Sequence, residues 1–236
     1  RGAENIFGLV NKTGISNIDP KTARHLVELD LEDSIRGIES SAYTKLNTKI
    51  DDATYGQAKA FYLGKLDSEV KASFYIEMLR RGMMPDAPVD KAKKEEKDAY
   101  GALAGLQKQI QIIDALQLAL QKNDMDRAKA IATQHLGTED LGLLSMYGYY
   151  GGPAFRIAEK GIYEDVVQTR MSLVTESLKD GKLYNLIDQG IAKHKQGKAH
   201  ALVGMYSAYN FQQRVNKQKA EVAKAKAEAE AKNKAA

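Results

Sequence analysis

The four histidines, His25, His135, His194 and His200, are the side chains best suited to metal or acid–base chemistry. His194 and His200 lie six residues apart, whereas zinc pairs on a helix use spacings of three or four. These histidines are therefore read as ordinary surface or boundary residues. Carboxylate pairs are frequent: Glu28/Glu32, Glu32/Asp33, Asp51/Asp52 and Glu139/Asp140. A ferritin-like di-metal centre needs Glu-x-x-His on two helices, and no Glu precedes any His by three. The pairs are accordingly expected to be solvated faces or helix caps. With no Cys, disulfides, thiolate zinc sites and cysteine nucleophiles are excluded. No P-loop, dinucleotide fingerprint or Gly-x-Ser-x-Gly elbow occurs. The sequence thus predicts no catalytic set, no cofactor and no metal site.

Aromatic and basic residues remain. The run Tyr147-Gly148-Tyr149-Tyr150-Gly151-Gly152-Pro153 has two readings. It is either a tight interhelical turn with tyrosines filling the junction, or a protein contact surface, since exposed Tyr clusters anchor interfaces. Tyr147, Tyr149, Tyr150, Tyr206, Tyr209 and Phe211 are the candidate interface residues. From Ile191 to Ala236 the chain carries ten Lys or Arg against three Glu, while the whole chain is only +4. Lys193, Lys195, Lys198, Arg214, Lys217, Lys219, Lys224 and Lys226 could neutralise phosphates. Arg, which reads bases bidentately, occurs once in this stretch, so nucleic-acid binding there would be non-specific and salt-sensitive. The plainer reading is a solubilising helical tail. Membrane docking is disfavoured because no large apolar residues face the distal lysines.

These residues need elements to hold them. The 236-residue chain, 43% hydrophobic and 28% charged, is long enough for a real core. No run approaches the ~18 apolar residues of a membrane span. The chain starts at Arg1, which suggests a processed form, a fragment or part of something larger. Soluble, cytoplasmic or within a virus particle are the locations this composition fits.

Residues 1–18 read as an irregular lead-in. Asp19-Pro20 looks like a cap followed by proline at the first helical position. From there Val27, Leu31, Ile35, Ile38, Ala42, Leu46 and Ile50 mark one apolar stripe on a helix of about 30 residues. A second helix is expected from Asp51-Asp52 to Gly82, and a third from the charged Asp90–Asp98 stretch to Leu120. Leu116–Gly137 reads as a helical hairpin turning at Asn123-Asp124, and Leu173–Gly190 as another turning at Asp180-Gly181. Two loosely similar hairpins hint at solenoid-like stacking. The last helix should start near Gly197 or Lys198. Beyond Val222 it has little to bury, so a frayed or disordered end is expected unless a partner orders it.

No adjacent alternating strand runs occur. The expected fold is all-α: long amphipathic helices in an irregular bundle, with an extended basic C-terminal helix. The expected organisation is residues 1–82, a linker at 83–89, a hairpin domain at 90–215 and an Ala/Lys/Glu-rich tail at 216–236. The functional expectation is a non-enzymatic structural or assembly protein, oligomeric or embedded in a larger particle. One concrete version is an internal or packaged virion component. Its partners would be further copies of itself or other proteins of a large assembly. The alternative is a nucleic-acid-associated protein that uses the basic arm non-specifically.

Overall fold

The computed structural model of the chain describes residues 52–137, 153–179, 181–194 and 196–236. The expected lead-in and first amphipathic helix, the Tyr147–Tyr150 cluster and Lys195 lie outside the described residues. The protein is all-α, and among the described residues there is no strand. Seven α-helices are described: α1 (Asp52–Leu63), α2 (Ser68–Arg80), α3 (Lys94–Gln121), α4 (Met125–Ile131), α5 (Pro153–Lys179), α6 (Tyr184–Lys193) and α7 (Gly197–Ala235). A π-helical turn, Ala132–Leu136, extends α4. No helix among the described residues is long and apolar enough to cross a membrane.

The chain forms two compact units, one of Arg1–Pro85 with Ile187–Ala236 and one of Asp86–Leu186. The first junction falls at Pro85 and the second inside α6, so the first unit is built from both ends of the chain.

In the first unit, α7 packs on both α1 and α2. Tyr62, Tyr75, Met78, Leu79, Met205 and Tyr206 are buried there, each large apolar side chain contributing about 1.5–3 kcal/mol on leaving water. The expected single helix from Asp51 to Gly82 is in fact two helices. Lys65 N–H and Leu66 N–H bond to the Tyr62 and Leu63 carbonyls, closing α1 in a turn. Asp67 is extended (φ −63°, ψ 155°) and becomes the N-cap residue of α2. The residue that opens α2 also meets a partner far along the chain. Asp67 N–H donates to Gln212 Oε1 at 3.0 Å, and Gln212 Nε2 donates to Asp67 Oδ2 at 2.9 Å. Local periodicity alone carries no trace of that partner.

α2 ends as its sequence suggests. Gly82 N–H bonds to the Leu79 carbonyl and Met83 N–H to the Met78 carbonyl, with Gly82 at φ +85°. This is a Schellman cap, whose left-handed residue favours glycine.

The second unit packs α3 against α4 and α5. Its core holds Leu116, Leu120, Ala128, Leu136, Tyr163 and Val166. The hairpin turn between α3 and α4 sits where the sequence places it. Asn123 takes φ +56°, Asp124 N–H bonds to the Ala119 carbonyl, and Asp124 Oδ1 accepts from Arg127 N–H at 3.2 Å. Asp124 thereby closes one helix and caps the next. Gly137, at φ +84°, ends the π turn.

The extended basic C-terminal helix is present as expected, and it is continuous rather than frayed beyond Val222. α7 runs 39 residues as one helix to Ala235, and every residue from Asn216 onward is exposed. Composition accounts for continuity without burial. Ala, Lys and Glu are strong helix formers. Lys217/Glu221, Lys224/Glu228, Lys226/Glu230, Glu228/Lys232 and Glu230/Lys234 are opposite charges at i, i+4, each spacing worth a few tenths of a kcal/mol in an isolated helix.

Candidate interaction surface

Among the described residues a groove runs between α2 and α7 within the first unit, about 370 Å³ in volume. Phe74 and Met78 on α2 and Val203, Gly204, Ala208 and Phe211 on α7 form its apolar part. The two helices approach closely because Gly204 has no side chain. A Cβ there would sit 3.0 Å from the Phe74 ring and 3.1 Å from Met78 Cε. Phe211 is the most exposed of the large apolar residues named here, at 51%.

One end of the groove is polar. Glu77 accepts from Arg80 Nη1 at 2.6 Å and from Arg81 Nε at 3.2 Å, so one carboxylate faces two guanidinium groups. Arg81 Nη1 lies 3.1 Å from His200 Nδ1, and His200 Nε2 lies 3.1 Å from Gln196 Oε1. A guanidinium only donates, so Nδ1 must accept and the ring proton must reside on Nε2, donated to Gln196. Burial, then the charges of Arg81 and His194, push the His200 pKa down to about 4. The imidazole is therefore neutral at physiological pH. This end of the groove can orient a partner by hydrogen bonding, but its histidine is a poor proton acceptor.

A second polar cluster joins α1, α2 and α6 inside the first unit. Asp188 accepts from Lys59 Nζ at 2.6 Å and from the Tyr75 hydroxyl at 3.1 Å. Burial, together with the Asp188 charge, raises Tyr55 well above the usual phenol range. Its hydroxyl is buried without a hydrogen-bond partner among the described residues. The cluster ties helices together and does not line the α2–α7 groove. Among the described residues no group of three or more His, Cys, Asp or Glu is arranged to hold a metal ion.

The sequence-predicted residues are scattered over this framework. Tyr206 is buried and meets Tyr62 edge-on at 6.3 Å, while Tyr209 packs on Tyr62 at 5.4 Å and Phe61 at 6.0 Å. Both rings serve the α1–α7 contact, and Phe211 alone of these three borders the groove. Tyr147, Tyr149 and Tyr150 lie outside the described residues. Of the basic residues, Lys198 Nζ is 2.7 Å from Asp52 Oδ1 with only 17% of its side chain exposed. Lys193 is exposed on α6, and Arg214, Lys217, Lys219, Lys224 and Lys226 are exposed along α7.

Glu77, Arg81, Gly204 and Gln212 were not singled out by sequence reasoning. Arg81 and His200 are 119 residues apart, and Asp67 and Gln212 are 145 apart. No local pattern marks such pairs.

The chain matches no protein-family model, no curated protein and no solved structure at a significant level. Function must be argued from the geometry.

Proposed function

We propose that this chain is a non-enzymatic structural or assembly protein that works as an oligomer or as part of a larger particle. The observation that carries the reading is α7: its last 21 residues, Asn216–Ala236, are exposed throughout. A helix extending about 30 Å without burying a face is an arm available to a partner. The groove that opens onto the same helix supports this reading, because helix-in-groove docking uses surfaces of this kind. An internal or packaged component of a virus particle is one concrete form of the proposal. The native mass by light scattering at low and high salt tests it. A mass above 26.0 kDa that survives high salt is expected, and a monomer under both conditions counts against self-assembly.

A second reading is favoured by one observation, the seven exposed cations Arg214, Lys217, Lys219, Lys224, Lys226, Lys232 and Lys234 along the outer part of α7. Here α7 is a non-specific nucleic-acid clamp. Affinity for any duplex should then fall steeply with salt, and deleting Asn216–Ala236 should weaken binding to every sequence equally. Affinity unchanged by that deletion sinks the idea.

A further inference from the structure

The outer half of α7 carries a seam with a spacing of its own. Phe211, Val215, Gln218, Val222, Ala225 and Ala229 follow one another at alternating intervals of four and three without a break. That mean of 3.5 residues is the period of a narrow coiled-coil seam, whereas a face packed on a globular body carries a wider apolar stripe. Gln212 is the last buried residue of α7. Beyond it Val215 is partly buried, and Gln218, Val222, Ala225 and Ala229 are all exposed, Val222 by 68%.

The charges beside the seam distinguish one orientation from the other. At 100° per residue, Lys219 and Lys226 lie on one flank, and Glu221 and Glu228 on the other. Two such helices pointing the same way set each lysine flank against the partner's glutamate flank, with Glu221 opposite the partner's Lys226. Pointing opposite ways, they set lysines against lysines and glutamates against glutamates. Arg214 lies on the glutamate flank and opposes the partner's Lys219, a single mismatch at the root of the arm. Gln218 adds register: in a parallel pair it faces its own copy and the two amides bond each other, while a slipped register sets each amide against apolar side chains.

We infer that the α7 helices of two copies of this protein pair in parallel along Val215–Ala229, as a short two-stranded coiled coil. The inference rests on the assembly reading above and names its partner and its face. Nucleic acid would engage the lysines and leave Val222 in water, whereas a second α7 covers Val222 and answers both signs of charge. The contact uses the same patch on both copies, so it joins two chains and stops there.

The chain contains no Cys, so single-cysteine variants of the full chain report the orientation directly. Val222→Cys and Ala229→Cys should each oxidise with diamide to a dimer linked to its own kind. Sedimentation of wild type across a concentration series should show monomer and dimer in exchange, and Val222→Asp should leave only monomer. Because Val222 is exposed in the single chain, that variant should keep the wild-type circular dichroism. Arg214→Glu turns the mismatch into an opposite pair on both sides of the coil and should tighten the dimer roughly fivefold. In an antiparallel pair the same change adds an acid to a flank that faces its like, and it loosens the dimer instead. Self-linking at no more than one of the two cysteine positions, or a dimer that Arg214→Glu loosens, overturns the parallel coil. An oligomer whose mass Val222→Asp leaves unaltered overturns this interface and leaves the assembly reading standing. A wild type that is monomeric at all concentrations overturns both the interface and self-assembly.

Discussion

Asp67 and Gln212 hold each other in a closed ring of two hydrogen bonds. The Asp67 amide donates to Gln212 Oε1 at 3.0 Å, and Gln212 Nε2 returns a bond to Asp67 Oδ2 at 2.9 Å. Gln212 is 1% exposed and also donates to Asn216 Oδ1 at 3.0 Å, so its amide is satisfied although buried. The pair joins the residue that precedes α2 to α7. Gln212→Ala should cost about 1–2 kcal/mol, since the buried amide's bonds are lost together. Denaturant melts would check this, and an unchanged midpoint would make the ring decorative.

Close backbone approach gives a second expectation. A Cβ on Gly190 would overlap the Met83 carbonyl and the Met84 nitrogen, none of which can swing aside as a side chain end can. Gly190→Ala is therefore expected to destabilise the protein by about 1–3 kcal/mol, like other overpacking changes. Gly105, with open space around its Cβ position, is the control. On the exposed part of α3, Gly105→Ala should raise stability by up to about 1 kcal/mol through helix propensity. Thermal melts that move in the same direction for both substitutions would refute the geometric argument.

At the turn between α3 and α4, Asp124→Ala removes the acceptor for Arg127 N–H. The expected loss is about 1 kcal/mol, with Asp124→Asn losing less because its side-chain oxygen can still cap. Equal losses in the two variants, measured by chemical denaturation, would argue against capping as the cause.

His200 makes a pH prediction with a definite sign. Its ring faces Arg81 from α2, with Glu77 beyond Arg81, and Gln196 and His194 from its own side of the groove. Its folded pKa is pushed down to about 4, against an ordinary value of 6.5. Between those values the unfolded chain binds the proton and the folded chain does not. Stability from this group is thus fully present above pH 6.5 and is lost as pH falls toward 4. His200→Gln should flatten the wild-type stability slope between pH 6.5 and 4. A ring-proton NMR titration with a midpoint near 6.5 would contradict the assignment.

Tyr163 is buried, and its hydroxyl has no hydrogen-bond partner among the described residues. Burial first, then the charge of Glu159, raises its pKa to about 12. Tyr163→Phe removes a desolvated hydroxyl and keeps the ring, so stability should be unchanged or higher. A loss above about 1 kcal/mol would reveal a bonded hydroxyl.

Much of the local architecture was legible because it depends on neighbours in sequence. The apolar intervals from Leu103 to Leu120 specify the buried face of α3, and Leu103, Ile110, Ile113, Leu116 and Leu120 are buried on it. Asn123-Asp124, Gly82 and Gly137 mark helix ends because a left-handed residue or a side-chain acceptor is a local requirement. The start of α7 at Gly197 and the basic character of its arm were equally readable. The continuity of the arm was underestimated from its lack of a buried face. Its Ala, Lys and Glu composition, which favours helix at every position, was in the sequence.

What the sequence determined by itself is therefore the all-α class, several helix ends and the charge of the arm, all set by periodicities and caps within a few residues. Tertiary structure alone decided the rest. It paired Asp67, the residue before α2, with Gln212. It drew Tyr206 and Tyr209 into packing with Tyr62 while leaving Phe211 exposed, and it brought Arg81 to His200 at one end of a groove. Such pairings join residues more than a hundred positions apart. They exist only once α7 has packed on α1 and α2, so no local rule of spacing can encode them.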